Sequence, residues 1–289
     1  MNKRLCLILA FMLIFSLAFS QAEVALDVFK DGLLAFLDDI NLSLPDSTVS
    51  GVTWSDAYIG QLVSVPPHFG AGLALGVSRF RVSGLKESLK LVGTDLSVDE
   101  LIFPTLALEG RIGGFILPFD IGVRFGFLPK VELQGIGVDY LHYGADIRYA
   151  LVKENLILPN ISLGLGYYGT SGNISYQFTL KQLIEIYPGT DKAEKLEIGF
   201  NTNVIDGRLQ VSKSFLIVTP YAGFGLSYSI TDSSYTLISE TDTASEKRWQ
   251  YRVFGGLSFN IAVVKIDLSG MYNFKSENWG ANLGLRVQL

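Results

Sequence analysis

The chain has 289 residues, of which 48% are hydrophobic, 12% aromatic and 18% charged, with a formal net charge of −5. A charged share below the roughly 25% of ordinary soluble domains excludes a disordered chain or a charged coiled coil. The negative balance gives no attraction for a polyanion, so nucleic acid is not an expected partner. One cysteine and two histidines leave no disulfide framework and no Cys/His metal cluster; no cofactor is expected.

Lys3 and Arg4 precede an uncharged apolar run, Leu5 to Phe19, which ends at the small-residue site Ser20-Gln21-Ala22. This pattern predicts a secretory signal peptide over residues 1–22. Cys6, the lone cysteine, lies inside it, so the exported chain must be stable without disulfides. No later stretch has 18 consecutive apolar residues. An exported, hydrophobic chain without a spanning helix points to a closed β-barrel.

Residues 23–67 read as a short amphipathic helix followed by a linker. Leu26, Phe29, Leu33, Phe36 and Ile40 recur at three- and four-residue spacing and form a packing stripe. Pro45 and the Ser/Thr/Gly-rich stretch after it end the pattern. The segment is expected to act as a lumen plug or as a periplasmic flap. A stripe of this size must be covered by something.

From about His68 the period becomes two. Ten strands are predicted near 68–83, 100–114, 118–129, 138–152, 158–171, 196–214, 219–231, 248–259, 264–274 and 279–289. The last shows strict alternation: Trp279, Ala281, Leu283, Leu285, Val287 and Leu289 on one face, Gly280, Asn282, Gly284, Arg286 and Gln288 on the other. In the 196–214 strand the alternation changes parity near Val204-Ile205, which predicts a bulge there. Short turns alternate with longer connections, of which Gly172–Lys195 and Asp232–Lys247 are prominent. That alternation is the pattern of a transmembrane antiparallel up-and-down barrel with its short turns in the periplasm.

Two features predict that the apolar face points outward. The polar face is rich in glycine (Gly70, Gly72, Gly164, Gly166, Gly223, Gly225), which suits a crowded lumen. It also carries acids and bases on neighbouring strands: Glu109 and Arg111, Asp120 and Arg124, Asp146 and Arg148. Together these six predict a lumen ion-pair network, with Arg124 paired to Asp146 or else to Glu109 or Asp120. Arg252, Lys265, Asp267 and Arg286 continue the pattern. Outward aromatics gather at the predicted strand ends, Tyr167, Trp249, Tyr272 and Trp279 at one rim, Phe69 and Phe259 at the other, as interfacial girdles do.

The C-terminal run Asn282-Leu-Gly-Leu-Arg-Val-Gln-Leu289 resembles the assembly signal of bacterial outer-membrane proteins, with Asn282, Gly284, Val287 and Leu289 filling its positions. The resemblance implies recognition by the barrel-assembly machinery and residence in the bacterial outer membrane, with its lipid as a partner. The stretches Gly110–Gly114, Leu117–Val123 and Gly144–Ala150 resemble small, poorly characterised spirochaete-type barrels, a likeness that carries no substrate.

Gly164-Leu-Gly-Tyr-Tyr-Gly169 matches a dinucleotide fingerprint in letters only, since a strand and no helix runs through it. His142 falls on the lumen face with no serine nucleophile nearby, and no enzymatic activity is expected. Two functions stay open. One is a narrow channel or carrier for small, possibly apolar, molecules, gated by the N-terminal segment. The other is a non-conducting barrel whose long extracellular loops bind partners.

Overall fold

Inside lipid a backbone N–H or C=O has no solvent partner, so a spanning sheet must close on itself. A computed structural model of the chain describes residues 28, 30–52, 54–84, 86, 90, 100–133, 136–179, 193–237 and 240–289. The expected signal peptide, and Leu26 and Phe29 of the helix stripe, lie outside the described residues. The strands are β1 (Phe69–Arg81), β2 (Glu100–Gly113), β3 (Phe119–Leu133), β4 (Ile136–Val152), β5 (Asn160–Thr179), β6 (Ala193–Ser212), β7 (Val218–Leu237), β8 (Glu240–Ile261), β9 (Val264–Asn273) and β10 (Trp279–Gln288). Each pairs antiparallel with its chain neighbour, and β1 closes on β10 from Gly70↔Gln288 to Ser78↔Gly280. The fold is a closed ten-stranded up-and-down barrel with one N-terminal helix, α1, over residues 30–49.

The outward face is an apolar belt. Leu73, Leu108, Val123, Leu165, Leu209, Val253, Leu268 and Leu285 all stand exposed on it. Tyr167, Trp249, Tyr272 and Trp279 fringe the belt on the long-loop side, and Phe69, Tyr149 and Phe259 fringe it on the short-turn side. An apolar band between two aromatic fringes is the surface of a transmembrane barrel. The short turns extend the apolar surface: Phe115 to Leu117, Leu156 to Leu158 and Phe215 to Ile217 are exposed at their tips.

Strand lengths are unequal. β9 and β10 have ten residues each, which is what one crossing of the hydrocarbon needs. β5, β6 and β7 have 20 each and β8 has 22. The surplus rises past the belt as a paired wall, roughly 30 Å along the strand at about 3.3 Å per residue. Its outer surface is polar, with Asn173 donating to Asp139 at 3.1 Å and Ser245 to Asp232 at 2.6 Å.

Three sequence expectations are corrected here. The helical pattern expected to end at Pro45 continues through it, and α1 stops only at residue 49. The long connections expected over Gly172–Lys195 and Asp232–Lys247 are ladder wherever they are described, since β5 runs to Thr179, β6 begins at Ala193, and β7 and β8 pair up to Leu237↔Glu240; residues 180–192 lie outside the described residues. Outside the membrane a strand no longer needs an apolar outer face, so its alternation fades while its hydrogen bonds persist. The bulge expected at Val204-Ile205 is also absent, because both ladders of β6 run through it in register. Val204 points inward against Val49, Val52 and Tyr168, and Ile205 points outward. The parity change marks an inward apolar contact, not an extra residue. Register shifts occur instead at Leu128/Val131 and Ala150/Val152.

Candidate functional site

The lumen is the place where polar chemistry is concentrated, and the chain's own N-terminal segment fills it. Leu33, Phe36, Leu37, Ile40 and Leu44 of α1 are fully buried at the long-loop mouth. They pack against Phe80, Phe103, Tyr140, Ile198, Phe200 and Tyr235, all inward-facing residues of the surrounding wall. Below Ile40 the helix is enclosed on nearly all sides, and its polar residues find wall partners. Ser47 shares a 2.6 Å hydrogen bond with Ser78, and Thr48 donates to Thr170 at 2.8 Å. Asp46 accepts from Asn273 at 2.5 Å, Ser276 at 2.5 Å and Asn278 at 3.1 Å, three donors at the β9–β10 turn. Burial outweighs these donors and pushes its carboxyl up to about 6.

Past the helix the segment is irregular, with neither helix nor strand bonds of its own, so its peptide groups need partners from outside. The wall supplies them. Arg124 donates to the carbonyl of Ser50 at 2.7 Å, Gln210 to those of Trp54 and Ser55 at 2.7 and 3.1 Å, and Arg148 to that of Asp56 at 2.7 Å. In the other direction, the N–H of Ala57 donates to Ser212 at 2.9 Å and that of Ile59 to Asp120 at 3.2 Å. The Asp56 carboxylate sits between Lys265 at 2.7 Å and Arg286 at 3.0 Å. At the short-turn rim the Leu62 N–H reaches Gly114 O at 3.0 Å, and β1 begins seven residues later.

Strand register builds the ion network of the wall. Glu109 lies opposite Arg124, and Asp120 opposite Arg148. Arg148 grips Asp120 through Nε at 2.8 Å and Nη2 at 2.9 Å, a bidentate fork. Arg111 contacts Asp120 and reaches Asp146 at 2.8 Å across the gap left by Gly122, where a Cβ would collide with both side chains. Asp146 also takes Arg208 at 2.5 Å, and Asp206 takes Arg252 at 2.7 and 2.9 Å. Arg252 stands over Gly225, where a Cβ would come within 2.8 Å of its guanidinium carbon. At Gly122, Gly164 and Gly225 the missing side chain is thus the space that arginine occupies.

Sequence reading places six residues in this network, and the structure shows how they divide. Arg111, Asp120, Asp146 and Arg148 form one connected group. Glu109 and Arg124 form a neighbouring pair at 3.5 Å, so Arg124 is partnered by Glu109 and not by Asp146. Asp206 and Arg208 were not singled out from the sequence, although they continue the inward parity of Gln210 and tie Arg252 to the rest. Among the described residues, the connected network at mid-lumen draws five acids (Glu109, Asp120, Asp146, Asp206, Asp267) and seven bases (Arg111, Arg124, Arg148, Arg208, Arg252, Lys265, Arg286) from the wall. Asp46 and Asp56 of the plug bring the acids level with the bases.

Of the assembly-signal positions, Asn282 points inward and accepts from Ser50 at 3.1 Å, and Gly284 lies beside Asp267. Val287 and Leu289 face outward on the seam with β1, where Leu289 N–H donates to Phe69 O at 2.9 Å. His142 is buried, with Nδ1 2.9 Å from the Thr170 hydroxyl. Among the described residues no group of three His, Cys, Asp or Glu is placed to hold a metal ion.

Solved structures to which the chain is similar include the outer-membrane protease OmpT of Escherichia coli, at 13% identity over 78% of this chain and 97% of that one, with a TM-score of 0.44. The translocator domain of the autotransporter NalP of Neisseria meningitidis is similar at 7% identity, over 77% and 88% of the two chains, with a TM-score of 0.43. A major outer membrane protein of Thermus thermophilus is similar at 10% identity, over 76% and 99%, with a TM-score of 0.30. No curated protein matches the sequence. Residues 81–289, the barrel from the end of β1 onward, match the family described as "Family of unknown function (DUF6588)", and the chain belongs to that family.

Proposed function

We propose that this protein is a non-conducting barrel of the bacterial outer membrane, sealed by its own N-terminal segment, that anchors a raised wall of paired strands at the cell surface. The observation that carries this reading is the filling of the lumen. Residues 43–50 are buried, and the wall side chains Arg148, Arg208 and Arg252 that face the segment are no more than 2% exposed. A void between plug and wall, lined by Ser47, Arg124, His142 and Thr170 among others, measures about 10 Å³, room for one water at most. The apolar belt supports residence in lipid, and the β10 ending supports delivery by the barrel-assembly machinery. Among the described residues, the polar wall of β5 to β8 is the part offered to partners.

A gated channel for small solutes is the second reading, favoured by one observation. The mid-lumen part of the wall named above has two more bases than acids, so displacing the plug would expose a stretch of bore that attracts anions. Planar-bilayer recording of the full chain separates the two. The sealed barrel gives no current steps at any holding potential, whereas a gated channel gives steps whose reversal potential in a salt gradient reports anion preference.

A further inference from the structure

The N-terminal segment crosses the lumen once and in one direction. Its start is at the long-loop mouth: Val28 is 47% exposed there, and Asp39 accepts from Ser83 Oγ at 2.8 Å and from Gly84 N at 3.2 Å, just beyond the far end of β1. Thr48 meets Thr170 partway along, and Asp56 meets Lys265 lower down. Leu62 reaches the β2–β3 turn at the opposite rim. A helix of about 20 residues covers about 30 Å, and the residues after it cover the remainder. The filled lumen leaves no room for a second pass that could bring the start of α1 back to the short-turn side.

We infer that the chain enters the barrel from the cell surface, so that Val28, the first described residue, is presented outside the cell. This rests on the outer-membrane reading above, which puts the short turns in the periplasm. An exported chain arrives on the periplasmic side. The start of α1 must therefore be carried to the outer side as the barrel assembles, and the finished barrel holds it there with the rest of the segment as its seal. The described part of the presented end carries Asp31 and Asp38 on its exposed face, and it is the barrel's own offering to the exterior, alongside the raised wall.

Single-thiol labelling of the full chain tests this, because Cys6 is the sole native cysteine. In a Cys6→Ser background, Val28→Cys and Asp31→Cys report the start of α1, Thr243→Cys the outer wall and Lys153→Cys the short-turn rim. Heat-modifiable gel mobility identifies variants that have folded. Intact cells and permeabilised cells are then treated with a membrane-impermeant maleimide. The expected result is that Val28→Cys, Asp31→Cys and Thr243→Cys label to the same extent before and after permeabilisation, while Lys153→Cys labels only after it. If Thr243→Cys labels on intact cells but the two α1 positions in folded variants do not, the inference is overturned and the outer-membrane reading stands. If Lys153→Cys labels on intact cells and Thr243→Cys does not, the barrel faces the other way and both fall.

Discussion

The guanidinium of Arg286 lies over the indole of Trp54, 4.7 Å from the ring centroid, and the same indole N–H donates to Glu109 at 2.8 Å. One plug side chain therefore joins the last strand to β2 across the seam formed by β1. Its ring also rests on Gly70 of β1, where a Cβ would come within 3.0 Å of it. Trp54→Ala removes the packing, the cation–π contact and the Glu109 partner together. We expect it to lower stability by about 3–5 kcal/mol, read as an earlier midpoint in urea titrations followed by heat-modifiable mobility. Trp54→Phe keeps the ring under Arg286 and should lose less.

The pairing of Arg124 is a second measurable point. Because Glu109 lies directly opposite it and Asp146 does not, a double-mutant cycle on Arg124→Ala and Glu109→Ala should give a coupling of about 0.5–3 kcal/mol. The cycle on Arg124→Ala and Asp146→Ala should be close to additive. The reverse ranking in urea titrations would contradict the strand register.

Depth in the belt gives a third. Leu268 stands outward on β9, in the middle of the apolar band. Leu268→Arg should cost about 2–4 kcal/mol, as charge at mid-depth does. Thr243→Arg, outward on the raised part of β8, should cost little. Equal losses of folded barrel in lipid vesicles would place the two residues at one depth.

Asp46 sets a pH dependence. Burial raises its carboxyl from the unfolded 3.8 to about 6, so the folded state prefers the protonated form. Its stabilising contribution is complete below pH 3.8 and is lost as pH rises through 6. Relative to Asp46→Asn, the native chain should therefore lose about 1 kcal/mol between pH 5 and pH 7.5. Parallel urea titrations of the two proteins at both pH values check the sign.

The belt-level parts of the strands were legible because lipid enforces alternation there; β10 and β9 show it residue by residue. The upper reaches of β5 to β8 were not, for a physical reason. Above the belt the outer face carries Asn173, Asn201 and Asp232, while the inner face carries Ile174, Ile198 and Phe200 to receive α1. The pattern is reversed there, and reversal looks like a bulge or a loop. The lumen bases could be read from parity alone. Their partners could not, because Arg124, Arg148 and Gln210 each serve a backbone carbonyl of the plug, and residues 50–59 have no periodicity that announces a path through a barrel.

The unequal strand lengths have a consequence for approach from outside. Asp46 points at the low β9–β10 turn, and at about 100° per residue Asp31, Ala35 and Leu42 share its side of the helix, with Asp38 close by. Asp31, Ala35 and Asp38 are exposed, whereas the opposite side is covered by inward residues of the taller strands. The mouth is thus shaped like a high-backed seat. Among the described residues, the helix is least covered over the β9–β10 edge, close to the lipid surface, and the face it turns that way bears carboxylates. That side favours small cationic groups, while the taller strands stand between the helix and bodies arriving from the other side.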